Sequence, residues 1–189
     1  MKLIIASIVV AALFAVPVIA ADTYTNDPAH TYPTFEVSHL GFSTMRGRFN
    51  KTAAKITLDK AAKTGSVEAT IDAASLDTGW PKRDEHLRSG DFFNVEKFPT
   101  VTFKSDSFKF DGDKVVTVPG QLTMLGITKP VTLQIANFKC APHPMLKRED
   151  CGAELSTTIK RSDFGMSFGL PAVGDDIKIA IELEAIKDS

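Results

Sequence analysis

Apolar and polar residues alternate with period two through most of the chain beyond residue 30. Ile177, Ile179, Ile181 and Leu183 fall on one side of a run whose other side carries Lys178, Glu182 and Glu184. Val67-Glu68-Ala69-Thr70-Ile71, Val131-Thr132-Leu133-Gln134-Ile135 and Leu155-Ser156-Thr157-Thr158-Ile159-Lys160 repeat the pattern. Successive side chains of an extended chain point to opposite faces, so each run predicts a strand with one dry and one wet side. Eight strands are predicted, near residues 32–40, 45–59, 65–76, 99–110, 113–125, 128–139, 151–162 and 174–186. Thr64-Gly65, Asp111-Gly112-Asp113 and Leu125-Gly126 supply turn chemistry between neighbours and favour hairpins over crossovers. Only Pro81 through Phe93 breaks the rhythm: a proline start, helix-forming residues and a pause at Gly90 predict a short helix or turn-rich connection. Strands that share one apolar face must bury it. The predicted fold is therefore all-β, an eight-stranded antiparallel barrel with one short helix between strands 3 and 4; a two-sheet sandwich is the other solution.

The N-terminus follows a different pattern. Lys2 is followed by an uncharged apolar run from Leu3 to Val16, a break at Pro17, and the small residues Ala20 and Ala21. This is the layout of a secretory leader, with cleavage after Ala20 or Ala21. A membrane anchor is the alternative reading, but the apolar run stops about where a roughly 20-residue spanning helix would have to continue. Residues 1–21 are thus expected to be a signal peptide and residues 22–189 a single barrel domain working outside the cytoplasm.

Charge and cysteine usage narrow the function. The formal net charge is −1, and −2 without Lys2, so no positive field favours nucleic acid. Cys140 and Cys151 flank a polar, proline-containing stretch. In an oxidising compartment they read as a disulfide closing a hairpin loop, worth on the order of 2–3 kcal/mol by chain entropy. His30, His39, His86 and His143 show no metal-ligand spacing, and no GxSxG or other activated nucleophile is present. The reading is no metal, no cofactor and no enzyme. A homodimer stays open.

Four segments go beyond pattern: His30-Thr31 through Phe35-Glu36-Val37-Ser38-His39-Leu40-Gly41-Phe42-Ser43; Arg83-Asp84-Glu85-His86-Leu87-Arg88-Ser89 leading to Asp91-Phe92-Phe93 and Phe98-Pro99-Thr100-Val101-Thr102-Phe103; Gly120 through Leu133; and Arg161-Ser162-Asp163-Phe164-Gly165-Met166. In this order and spacing they closely resemble the YceI-like family of periplasmic polyisoprenoid-binding proteins, across nearly all of the chain after the leader. The resemblance implies a lipocalin-like barrel holding a long-chain isoprenoid or similar lipid in its lumen, with no catalytic residues. Thr31 stands where the family usually has Ser, Asn94 where Asp is common, and the Cys140–Cys151 loop is a local elaboration.

The chain carries thirteen phenylalanines, twelve once Phe14 leaves with the leader, against one Trp and two Tyr. Phe offers apolar surface without a polar tip. By themselves these rings suit a barrel plugged by its own side chains as well as an open one, since eight strands leave an interior just wide enough for either. With the resemblance, a lumen lining is expected from Phe35, Val37, Phe42, Phe49, Phe92, Phe93, Phe103, Leu122, Met124, Leu133, Phe164, Met166 and Ile179. Arg83, His86 and Arg88 are the candidates for contacts to a ligand head group. Alternatively, Arg83 and Arg88 pair with Asp84, Glu85 or Asp91 and pin the connection to the barrel.

Overall fold

The computed structural model describes residues 21–189. The expected leader, apart from its last residue, lies outside the described residues. The strands are β1 (Asp22–Asn26), β2 (Tyr32–His39), β3 (Ser43–Phe49), β4 (Thr52–Asp59), β5 (Thr64–Asp72), β6 (Leu76–Asp77), β7 (Thr100–Ser105), β8 (Lys109–Asp111), β9 (Lys114–Met124), β10 (Ile127–Pro142), β11 (Glu149–Lys160) and β12 (Asp176–Lys187). Helix α1 (Pro81–Arg88) lies between β6 and β7.

Every pairing is antiparallel, and β1-β4-β5-β7-β9-β10-β11-β12 closes on itself where Thr25 of β1 meets Ile186 of β12. This is a closed eight-stranded barrel. Twelve segments fit eight positions because four walls, β1/β2, β3/β4, β5/β6 and β7/β8, are each interrupted. One edge of β12 takes β1 beside Ala185–Lys187 and β2 beside Lys178–Glu182, so β1 and β2 form one broken wall. Likewise β3 and β4 pair with β2 and β1 in turn. Counted around the ring, α1 stands between the third and fourth walls, as the sequence predicts. At this end β3 pairs with the two-residue β6 and not with β5, and α1 follows β6 across the opening.

Local chemistry sets these boundaries. The β9–β10 hairpin turns in two residues, Leu125 at φ 54° and Gly126 at φ 76°, the paired positive values that match strand twist. Pro81 occupies the first turn of α1, where its missing N–H costs nothing. Cys140 and Cys151 face each other across β10 and β11 and are disulfide-bonded, tying the tip of the longest hairpin.

The end away from α1 is closed by Tyr24, which is fully buried and donates to Glu149 Oε1 at 2.5 Å. Lys60 donates to the same oxygen at 2.7 Å. Burial, followed by the Glu149 contact, pushes the Tyr24 phenol well above its ordinary range, so it stays neutral. Burial alone would raise the Glu149 carboxyl; the hydrogen bonds from Lys60 and Tyr24 outweigh it and hold it below the ordinary value. Its stabilising contribution is therefore present above the ordinary carboxylate range and is lost as pH falls through the lowered folded value. Glu149→Gln is expected to cost about 1–2 kcal/mol at neutral pH, after allowance for partial exposure. Its stability should also decline less than the parent's on acidification below about pH 5. Thermal unfolding across pH 3–7 checks both.

Candidate ligand-binding cavity

The inward faces of the eight walls surround a cavity of about 700 Å³. The period-two runs supply it directly: Ile177, Ile179, Ile181, Leu183 and Ala185 from β12; Leu155, Thr157 and Ile159 from β11; Val131, Leu133 and Ile135 from β10; Val67, Ala69 and Ile71 from β5. The lining is overwhelmingly apolar and runs from Tyr24 and Leu58 at the closed end to Trp80, His86 and Phe168 at the α1 end. From Ala185 to Ile177 is eight residues of strand, roughly 26 Å of chain. With a barrel tilt of about 40° this leaves on the order of 20 Å along the axis. The space is long, dry and slender, within the range of about 300–1,000 Å³ of small-molecule sites.

Glycines in the wall explain why the phenylalanines do not plug it. A Cβ on Gly120 would strike the tip of the Phe103 ring and lie 2.5 Å from the Lys104 carbonyl oxygen. A Cβ on Gly47 would strike Phe35, its partner directly across β2 and β3. Both rings therefore lie over glycine backbone along the wall, leaving the bore free. Phe49 extends this lining, 5.9 Å from Phe35 and edge-on to Phe93 at 5.4 Å between centroids. Gly120→Ala must move both the Phe103 ring and the β7–β9 ladder. A stability loss of about 1–3 kcal/mol is expected from overpacking, read from denaturant midpoints, whereas Gly152→Ala, with open contacts, should cost less than 1 kcal/mol.

Of the predicted lining residues, Phe35, Val37, Phe49, Phe92, Phe93, Phe103, Leu122, Met124, Leu133, Met166 and Ile179 line the cavity. Phe42 does not. It sits at the tip of the β2–β3 hairpin and is 88% exposed, because Leu40 and Gly41 turn there with positive φ and end the inward alternation. Phe164 does not line the cavity either. It is buried in the 3-10 turn Arg161–Phe164 and packs into the core rather than facing the bore.

The head-group candidates divide differently. Arg83 and His86 line the mouth, while Arg88 does not. Arg88 donates from Nε to the Ala74 carbonyl at 2.8 Å and from Nη2 to the Leu76 carbonyl at 2.7 Å, fastening α1 to the segment before it. Arg83 reaches Thr78, from Nε to Oγ1 and from Nη2 to the carbonyl, both at 2.7 Å. Carboxylates thus do not pair with either arginine as the sequence suggested. Asp84 instead is buried and accepts from the Thr78 N–H at 2.9 Å and hydroxyl at 2.5 Å, and Asp91 lies 2.9 Å from His86 Nε2. His86 also meets Phe92 and Phe168 edge-on, at 5.1 and 5.2 Å.

Arg161, which sequence reasoning did not single out, organises the loop beside this mouth. Only 2% exposed, it donates to the carbonyls of Gly174, Met166, Phe168 and Val173 at 2.8–3.0 Å. Burial pushes its guanidinium below the ordinary arginine range, opposed by the Asp175 charge. One signal was present: Arg161 continues the inward series Leu155, Thr157, Ile159 by parity. Two other groups of potential metal-ligating side chains occur among the described residues. Cys140 and Cys151 of the first are consumed by the disulfide, and Asp27, His30 and Glu184 form a surface cluster with His30 Nδ1 2.9 Å from Asp27.

A closed antiparallel barrel around a dry, slender lumen is the architecture of a binding protein. The chain belongs to the YceI-like family: the YceI-like domain matches residues 24–185. A UPF0312 protein of Pseudomonas aeruginosa is 38% identical over 159 residues, covering 84% of this chain and 82% of its own. The crystal structure of the Campylobacter jejuni YceI protein superimposes with a TM-score of 0.69 at 34% identity, covering 80% of this chain and 90% of that one. A polyisoprenoid-binding domain from Saccharophagus degradans shares the fold, with a TM-score of 0.65 at 14% identity over 89% of this chain and 99% of its own.

Proposed function

We propose that this protein is a non-enzymatic carrier that holds a long-chain polyisoprenoid, or a related apolar lipid or quinone precursor, in its barrel lumen, and that it does so in the periplasm after loss of its leader. The observation that carries the reading is the bore itself, kept open by Gly47 and Gly120 and lined from end to end by aliphatic and aromatic side chains. An extended hydrocarbon chain needs no directional contacts. Burial stabilises it by about 25 cal/mol per Å² removed from water, so a few hundred Å² suffices for tight binding. The shared fold of the polyisoprenoid-binding domain from Saccharophagus degradans agrees with this class of cargo. The leader-like N-terminus and the disulfide support export.

Native mass spectrometry of gently purified protein tests the cargo. A stoichiometric lipid, extractable and identifiable, is expected; a ligand-free barrel that also ignores added polyprenyl lipids would refute the reading. The same spectrum tests export, since the mature chain should begin at Ala21 or Asp22.

A further inference from the structure

We infer that the α1 end of the barrel docks on a lipid bilayer, so that the lumen opens into the membrane and not into water. Three segments frame the opening and touch one another in a ring. The His86 ring on α1 meets Phe168, centroids 5.2 Å apart. The loop beyond Phe168 meets the β2–β3 hairpin, where the Leu40 N–H donates to the Ala172 carbonyl at 2.7 Å and His39 pairs with Val173. The hairpin returns to α1 through Arg83 Nη1 and Met45 Sδ, 3.5 Å apart.

The outer surface of this ring carries four large apolar side chains among the exposed polar groups of α1. Leu40, Phe42, Trp80 and Phe168 are all exposed, Phe42 at the hairpin tip and Trp80 at 54%. Large exposed side chains gathered around one opening mark an interaction surface. Two of them, Trp80 and Phe168, also line the cavity, so the exposed apolar rim is continuous with the dry lumen. Lys82, exposed at the same opening, places an ammonium at the height where anionic head groups lie, its stem free to run along the apolar rim. Trp80, with an apolar body and one N–H, suits that interface. The occupant follows from the cargo. A chain that cannot cross water leaves the lumen only into another apolar phase, and a ring that inserts its tips in the bilayer removes water from the path. This step rests on the lipid-carrier reading.

Trp80 is the protein's sole tryptophan, so its emission reports the rim directly. Cargo-free protein mixed with phosphatidylethanolamine–phosphatidylglycerol vesicles should show a blue shift, quenched when the acyl chains are brominated. Leu40→Ser/Phe42→Ser should weaken partition at least about ten-fold. Neither residue lines the cavity, so farnesol binding in solution should stay at the parent level. Met145→Ser, at an 81% exposed residue of the Cys140–Cys151 hairpin at the closed end, should leave partition unchanged. Unmoved Trp80 emission with normal farnesol binding overturns the docking alone, as does a Met145→Ser variant that partitions as poorly as the double variant. Farnesol that fails to bind while Trp80 still inserts overturns the cargo reading and supports the docking.

Discussion

Arg161→Met is expected to lower the melting temperature by about 10 °C, the equivalent of about 4 kcal/mol for a chain of this size. The guanidinium is buried and spends four donor contacts on carbonyls of Met166, Phe168, Val173 and Gly174, which belong to a loop whose backbone is otherwise tied to the sheet only near Ala172–Gly174, against Ser38–Leu40. Methionine fills much of the same volume but leaves those acceptors unpaired, at about 1–3 kcal/mol for each that remains buried. Some will turn to water, and in doing so release the loop that holds Phe168 against His86. Limited proteolysis should therefore cut within 165–174 in the variant before the barrel itself unfolds. Arg161→Lys should recover only part of the loss, because one ammonium cannot reproduce a planar fork reaching four carbonyls. A methionine variant within about 1 kcal/mol of the parent, with an uncut loop, would show that the loop is held by something else.

The barrel was legible because one dry face per strand is a sequence property, independent of which strands become neighbours. Ile177, Ile179 and Ile181 had to face inward wherever β12 was placed. What escaped were features made by two segments at once. β1 offers a single apolar residue, Tyr24, among Asp22, Thr23, Thr25 and Asn26, and gains its place only from the edges of β4 and β12. Phe42 carries the same hydrophobicity as Phe35 but lies past the turn, where alternation no longer reports on the lumen. Arg161 sits at an inward position that a charge normally avoids, and becomes tolerable only when the loop returns its carbonyls. The question of plug against pore turned on Gly47 and Gly120, whose significance appears only once Phe35 and Phe103 lie over them.

Ala69→Phe is expected to abolish cargo binding, by at least a hundred-fold, while leaving the protein as stable as the parent. Ala69 faces the lumen from β5 between Ala54 on β4 and Phe103 on β7. The Phe103 ring leans away from it toward Gly120, so the space in front of Ala69 belongs to the bore. In a filled core a benzyl group there would force neighbours off their rotamers and cost about 1–3 kcal/mol or more. In an open lumen it enters vacant space and gains apolar burial of its own, about 1.5–3 kcal/mol if fully enclosed. The same ring obstructs a slot one chain wide, and a continuous hydrocarbon cannot step around it; a hundred-fold loss corresponds to about 2.7 kcal/mol of contact forgone. Stability and binding thus separate, and their signs discriminate between the two kinds of barrel. Chemical denaturation and titration with a soluble prenyl alcohol measure the pair: a destabilised variant that binds as before would mean that the cargo lies elsewhere and the barrel is packed.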